Sequence, residues 1–221
     1  MIIKIDIDKP NEEIIHKVVE VLQKGGIIVY PTETAYGIGC NAFNAEAIKR
    51  IFLLKNRPFD QPLPVIINSL KMAKRIGLIN KEVKNLIRKY HPGPLVIGVS
   101  KRKTIPDILN KSGIAFRISS CKFIHEIVKR LKGPLVSTSA NLTGQITPYS
   151  VEDVLAQLQE SDIELILDGG ILAKNKPSTI IDFQIKPSPQ IIREGEIPAD
   201  EILDFLKVDE KERWKHKNFL K

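Results

Sequence analysis

A chain of 221 residues, 43% hydrophobic and 27% charged, is long enough to bury a substantial core and has the composition of an ordinary globular protein. No apolar run approaches the length of a membrane span, and the opening MIIKIDIDKP meets Lys4, Asp6 and Asp8 too early for a secretory leader, so a cytoplasmic location is expected. The formal charge of +8 favours phosphate-rich partners, a nucleotide or RNA, and is equally compatible with solvated lysine faces.

In chain order, Ile2, Ile3 and Ile5 predict a first short strand. Asp8 and Asn11 are both helix starters, Pro10 suits a first helical turn, and Ile14, Ile15, Val18, Val19 and Leu22 form a helical stripe that stops at Gly25-Gly26. The apolar run Ile27–Tyr30 reads as a strand. It meets Pro31, which cannot donate to a ladder, so the chain should leave the sheet there and expose Thr32, Glu33 and Thr34. Gly37 and Gly39 permit backbone angles or close approaches that side chains forbid. A helix is predicted over Ala45–Lys55, with Ile48, Ile51, Phe52 and Lys55 at i, i+3, i+4 and i+7. Lys55 therefore falls on the buried stripe, and its ammonium is expected to emerge at an edge of the core; a snorkelling lysine would give the same pattern. Arg57 follows, Pro58 and Pro62 keep the exit loop out of helix, and Val65–Ile67 is another strand.

Helices are predicted over Leu70–Ile76 and Lys81–Tyr90, the second capped by Asn80 and stopped by His91-Pro92-Gly93-Pro94. Leu95–Val99 and Ile114–Ile118 read as strands, the latter interrupted by Arg117, a cation that must leave the core or meet an anion. A helix capped by Ser119 or Ser120 should run to Leu131, and Pro134–Ser137 should form a strand running into the segment TSANLTG. There Ser139 and Asn141 offer polar groups to a ligand, or else simply bond their own turn. Ser150 and Asp153 make a capping box for a helix to Leu158, the run Ile163–Leu167 leads to Asp168-Gly169-Gly170, and a last short helix is expected over Pro198–Leu206. Intermixed strands and helices argue for an α/β sheet packed by helices. Cys40 and Cys121 lack metal-ligand spacing and read as reduced thiols. His16, His91, His125 and His216 are scattered, so no metal ligand set is proposed, and there is no G-x-x-x-x-G-K-[ST] phosphate loop.

The order PTETAYGIG, KNRP, QPL, the Arg117 strand, the SAN segment and the closing pair Lys176–Asp182 and Ile191–Gly195 resembles the signature of the YrdC-like family over most of the chain. The resemblance implies a twisted, open mixed α/β sheet flanked by helices, with a basic concave groove, in a domain over residues 1–206 followed by a charged tail over 207–221. It implies the short-form activity, threonylcarbamoyl-AMP synthase: ATP, bicarbonate and L-threonine give threonylcarbamoyl-AMP and pyrophosphate for the threonylcarbamoyladenosine modification of tRNA. On this resemblance Lys55 and Arg57 are catalytic, Thr34, Arg117 and Ser178 contact L-threonine, and Lys55, Arg57, Ser139, Asn141 and Arg193 contact the nucleotide. Mg²⁺ accompanies ATP, tRNA is a candidate ligand, and a threonylcarbamoyl-transferase complex acts downstream. The alternative is a YciO-like nucleotide- or RNA-binding protein with weak or no synthase activity. Two positions depart from the family pattern: Ile66 replaces a histidine found near the threonine pocket in many relatives, and Ser119 stands where an R-x-P pattern has its proline. Both are expected to loosen amino-acid recognition.

Overall fold

The computed structural model describes residues 1–9, 11–185 and 188–209. The expectation for Pro10 and most of the charged tail, from residue 210 onward, lie outside these. Among the described residues the strands form two mixed sheets. The first has the order β1 (Ile2–Lys4), β9 (Leu165–Asp168), β2 (Ile28–Pro31), β3 (Tyr36–Gly39) and β8 (Thr138–Ser139). The second has the order β11 (Gln190–Arg193), β10 (Thr179–Asp182), β5 (Leu95–Ser100), β6 (Gly113–Arg117), β4 (Val65–Ile66) and β7 (Leu135–Val136). Helices α1 (Glu12–Gln23), α2 (Ala45–Leu54), α3 (Leu70–Ile76), α4 (Lys81–Tyr90), α5 (Lys122–Leu131), α6 (Val151–Leu155) and α7 (Ala199–Phe205) flank them.

The helices begin where their caps say they should. Asn11 accepts from Glu13 N and Ile14 N, Asn44 from Ala47 N and Asn80 from Val83 N, each satisfying donors that the first helical turn would otherwise orphan, worth about 1 kcal/mol apiece. The predicted capping box is present at Ser150 and Asp153, although α6 ends at Leu155, short of Leu158. Helix α1 buries Ile15, Val18, Val19 and Leu22 of the predicted stripe, with Ile14 partly buried beside them, and α2 buries Ala47, Ile48, Ile51 and Phe52.

One expectation is filled in and one corrected. Residues 36–39, where Gly37 and Gly39 were expected to permit unusual backbone angles or close approach, are a strand: β2 and β3 form an antiparallel hairpin in which Val29 faces Ile38 and Pro31 faces Tyr36, so the chain leaves the sheet just after Pro31. Gly39 is required there by close approach, since a Cβ would collide with Val136 O of β7. Helix α5 starts after Cys121, not Ser119 or Ser120, and has no side-chain cap; the Ser119 hydroxyl is directed elsewhere, to Glu33.

The two sheets meet along this contact. Val136 N donates to Cys40 O and Ala42 N to Pro134 O, and the chain crosses from β7 in the second sheet to β8 in the first within two residues. The hairpin turn at Thr32–Ala35, the end of β6 and the end of β11 line a common space with residues of both sheets.

Candidate active site

That space is a cavity of about 660 Å³. The β2–β3 turn forms one wall and is tied by the Thr32 N bond to Ala35 O at 3.1 Å and by the Thr32 hydroxyl: Oγ1 donates to Ala35 O at 2.7 Å and accepts from Thr34 N at 3.1 Å and Ala35 N at 3.2 Å. This local bonding, typical of threonine in tight turns, holds Thr34 at the cavity surface with its hydroxyl 3.1 Å from that of Thr32. The floor belongs to the second sheet, where Asp182, Gly98 and Ala115 stand side by side in register on β10, β5 and β6.

Three arginines line the cavity from separate parts of the chain. Arg57, in the connection from α2 to β4, donates Nε to Gln61 O at 2.8 Å and Nη2 to Pro62 O at 3.1 Å, so its own exit loop orients it. Arg193, ending β11, donates Nε and Nη2 to Ser178 O at 3.2 and 2.9 Å, binding the two closing segments to each other. Arg117 ends β6 and is 7% exposed. Burial lowers the pKa of all three, that of Arg117 to about 10, which leaves them cationic at neutral pH. Asp60 and Asp182 are carboxylates on the same walls.

Arg117 meets its anion inside the protein. Its Nη1 pairs with Glu33 Oε1 from the turn of the opposite sheet, and neither atom has a further hydrogen-bond partner among the described residues. Glu33 Oε2 accepts from Ser119 Oγ at 2.7 Å, and Glu33 O accepts from Asn175 Nδ2 at 2.8 Å.

Lys55 and Asn141 stand behind the wall rather than on it. Lys55, the C-cap of α2, is 1% exposed, so its ammonium does not emerge at the edge of the core as the stripe predicted. Nζ donates to Ser139 O and Asn141 O, each at 2.5 Å, and approaches Asn141 Oδ1 at 3.4 Å. Ser139 Oγ donates to Asn141 Oδ1 at 2.6 Å, Asn141 Nδ2 to Gln145 O at 2.7 Å, and Thr143 N and Oγ1 both to Lys55 O. Burial, with the nearby Arg57 charge, pulls the Lys55 pKa down to about 7, while three oxygens favour keeping the proton. The KNR and SAN segments are thus one hydrogen-bonded unit that presents Arg57 and Ser139 to the cavity.

Of the residues singled out by sequence, Thr34, Arg57, Arg117, Ser139, Ser178 and Arg193 come together on the cavity. Ile66 does not: it is 1% exposed, belongs to the apolar core and is absent from the lining, so it is not placed to set amino-acid selectivity. Glu33 and Asn175 are not singled out by sequence as site residues, and Ser119 stands out only as a departure from the family pattern; the structure joins all three beside Arg117. Glu33 lay in the loop expected to be exposed, but its partners are 84 and 86 residues away, and no local pattern announces them. Cys40 and Cys121 are free thiols, as expected. Among the described residues no helix is long and apolar enough to cross a membrane.

A family model labelled for Sua5, YciO and YrdC and described as "Telomere recombination" matches residues 20–195. A Methanocaldococcus jannaschii protein provisionally named a threonylcarbamoyl-AMP synthase is 35% identical over 196 residues, 87% of this chain and 92% of that protein. The structure of Pyrococcus abyssi Sua5 complexed with L-threonine superposes with a TM-score of 0.86 at 30% identity, covering 93% of this chain and 61% of that longer one. Escherichia coli YciO superposes with a TM-score of 0.83 at 28% identity, covering 92% of this chain and 99% of YciO.

Proposed function

The chain belongs to the Sua5, YciO and YrdC family, and we propose on that footing that it is a threonylcarbamoyl-AMP synthase, a nucleotidyltransferase acting on ATP, bicarbonate and L-threonine. The observation that carries the proposal is the convergence of Arg57, Arg117 and Arg193 with Thr34, Ser139 and Ser178 on one cavity large enough for a nucleotide and an amino acid together. Carboxylate, carbamate and polyphosphate are all anions, and the reaction asks for charge stabilisation and alignment more than for a protein nucleophile.

In this reading the carbamate made from threonine and bicarbonate attacks the α-phosphorus of MgATP through a carbamate oxygen. The bond from that phosphorus to the bridging oxygen breaks, and pyrophosphate leaves with the electron pair. Arg117 takes the threonine carboxylate, with Thr34 and Ser178 as its polar neighbours. Arg57 and Arg193 stabilise phosphate charge, and Ser139 contacts the nucleotide. Lys55 and Asn141 serve the chemistry by holding the Ser139 segment and the Arg57 backbone in place, positioning these groups from behind. The magnesium ion enters with ATP, and the carboxylates on the cavity wall that could face it are Asp60 and Asp182. The product would supply the threonylcarbamoyl group for tRNA through a separate transferase complex, and the net charge of +8 suits direct contact with tRNA.

The near-complete coverage of E. coli YciO supports a second reading, a nucleotide- or RNA-binding protein with weak or no synthase activity. Pyrophosphate release from ATP by the purified protein separates the two. Release that needs both L-threonine and bicarbonate is the synthase result; no release, or release indifferent to both, leaves the second reading.

A further inference from the structure

Glu33 sits at the apex of the hairpin turn, between two threonines that face the cavity, and its carboxylate crosses from the first sheet to the second. There it makes the two-point contact that an α-carboxylate would make, one oxygen on the Arg117 guanidinium and the other on the Ser119 hydroxyl. Both partners are buried, Arg117 at 7% and Ser119 at 2% exposure, so without Glu33 the ligand-free protein would hold an uncompensated cation in a poorly hydrated place. The turn itself is secured independently, by the Thr32 hydroxyl and by Asn175 on Glu33 O, so the carboxylate can swing away while the backbone stays tied.

We propose that Glu33 is a built-in competitor for the substrate carboxylate: it occupies Arg117 until an amino acid displaces it. The proposal rests on the reading of Arg117 as the carboxylate site. Nη1 cannot serve both carboxylates at full strength, so binding exchanges one ion pair for another. The exchange weakens amino-acid affinity, since the ligand must replace a charged partner. It also adds selectivity, because a ligand without a carboxylate cannot displace Glu33 and compensate Arg117. Release of the side chain next to Thr34 then makes formation of the threonine site depend on the carboxylate having arrived.

The test is isothermal titration of L-threonine, and of L-threonine amide, into wild type, Arg117→Gln, Glu33→Gln and Glu33→Asp. Arg117→Gln should lose L-threonine binding; if it binds like wild type, the Arg117 reading falls and the competitor with it. Glu33→Gln keeps the shape and the hydrogen-bond acceptor but removes the charge. It should bind L-threonine about fivefold tighter or more, the difference between displacing a charged and a neutral partner, with the amide changed by less than about twofold. Glu33→Asp, one methylene too short to span both partners, should also tighten L-threonine binding while retaining the charge and covers the case in which the glutamine variant fails to fold. If Arg117→Gln loses binding but both Glu33 variants bind L-threonine equally or more weakly than wild type, Glu33 belongs to the receptor and the competitor proposal is overturned while the function reading stands.

Discussion

Replacing Lys55 with methionine separates a residue that positions the site from one that touches the ligand. Methionine fills nearly the same space, so what is lost is the bonding of Nζ to Ser139 O, Asn141 O and Asn141 Oδ1. A buried carbonyl left without a donor costs about 1–3 kcal/mol, and two carbonyls lose theirs here. Removing a desolvated ammonium returns part of that, since burial already strains the charge enough to bring its pKa to about 7. The balance is a stability loss of about 2–4 kcal/mol for Lys55→Met. The slackened Ser139–Asn141 segment should then lower turnover at least about tenfold, equivalent to about 1.4 kcal/mol of transition-state stabilisation. Arg57 provides the contrast. Its side chain is half-buried and bonded to its own exit loop, so Arg57→Met should cost less than about 1 kcal/mol of stability while lowering turnover at least as much. Urea unfolding followed by circular dichroism, together with threonine-dependent pyrophosphate release, measures both quantities. Lys55→Met with wild-type stability would show that Nζ does not hold the segment; wild-type turnover in the same variant would show that the segment does not govern the chemistry.

Three further outcomes follow from other parts of the fold. Arg193→Gln should raise the KM for ATP at least about tenfold and leave the Kd for L-threonine within about twofold; steady-state kinetics and titration check it, and a shift confined to threonine would reverse the assignment. His91 is held neutral by burial, which lowers its pKa, against the weaker opposing effect of its Nε2 bond to Leu95 O at 2.7 Å. Because the unfolded chain takes up a proton there as pH falls through about 6.5 and the folded chain does so only at lower pH, this group makes stability fall on acidification from neutrality. His91→Gln should flatten the slope of unfolding free energy over that window, and an unchanged slope would refute the contribution. Gly39→Ala places a methyl against Val136 O at the seam of the two sheets and should cost about 2 kcal/mol or more, measured by urea unfolding; an unaltered midpoint would mean that the seam is looser than drawn.

Regular elements with strong local patterning were legible in the chain. The stripe of α1, the bounds of α3 and α4 and the Ser150–Asp153 box follow from spacing and capping chemistry, which act within a few residues. The segment YGIG was not legible as a strand, because two glycines in four residues have little intrinsic strand preference. It becomes one because it pairs with β2 on one side and β8 on the other, and Val136 comes close enough to exclude any side chain at Gly39. The start of α5 was misplaced for a related reason: Ser119 looks like a cap locally, but its hydroxyl is taken by a carboxylate from another sheet.

The same division runs through the candidate site. That a lysine lies on the buried stripe of α2, that an arginine interrupts an apolar strand, and that polar loops follow strand exits could all be read from the chain, since each is a matter of period or composition over a short window. The sequence could not determine what those groups meet. Whether Lys55 faces solvent or loop carbonyls, and whether Arg117 waits open or already holds Glu33, depends on pairings across 84 to 86 residues. A buried cation must find oxygen partners somewhere, and only the packing of one sheet against the other decides which ones are within reach.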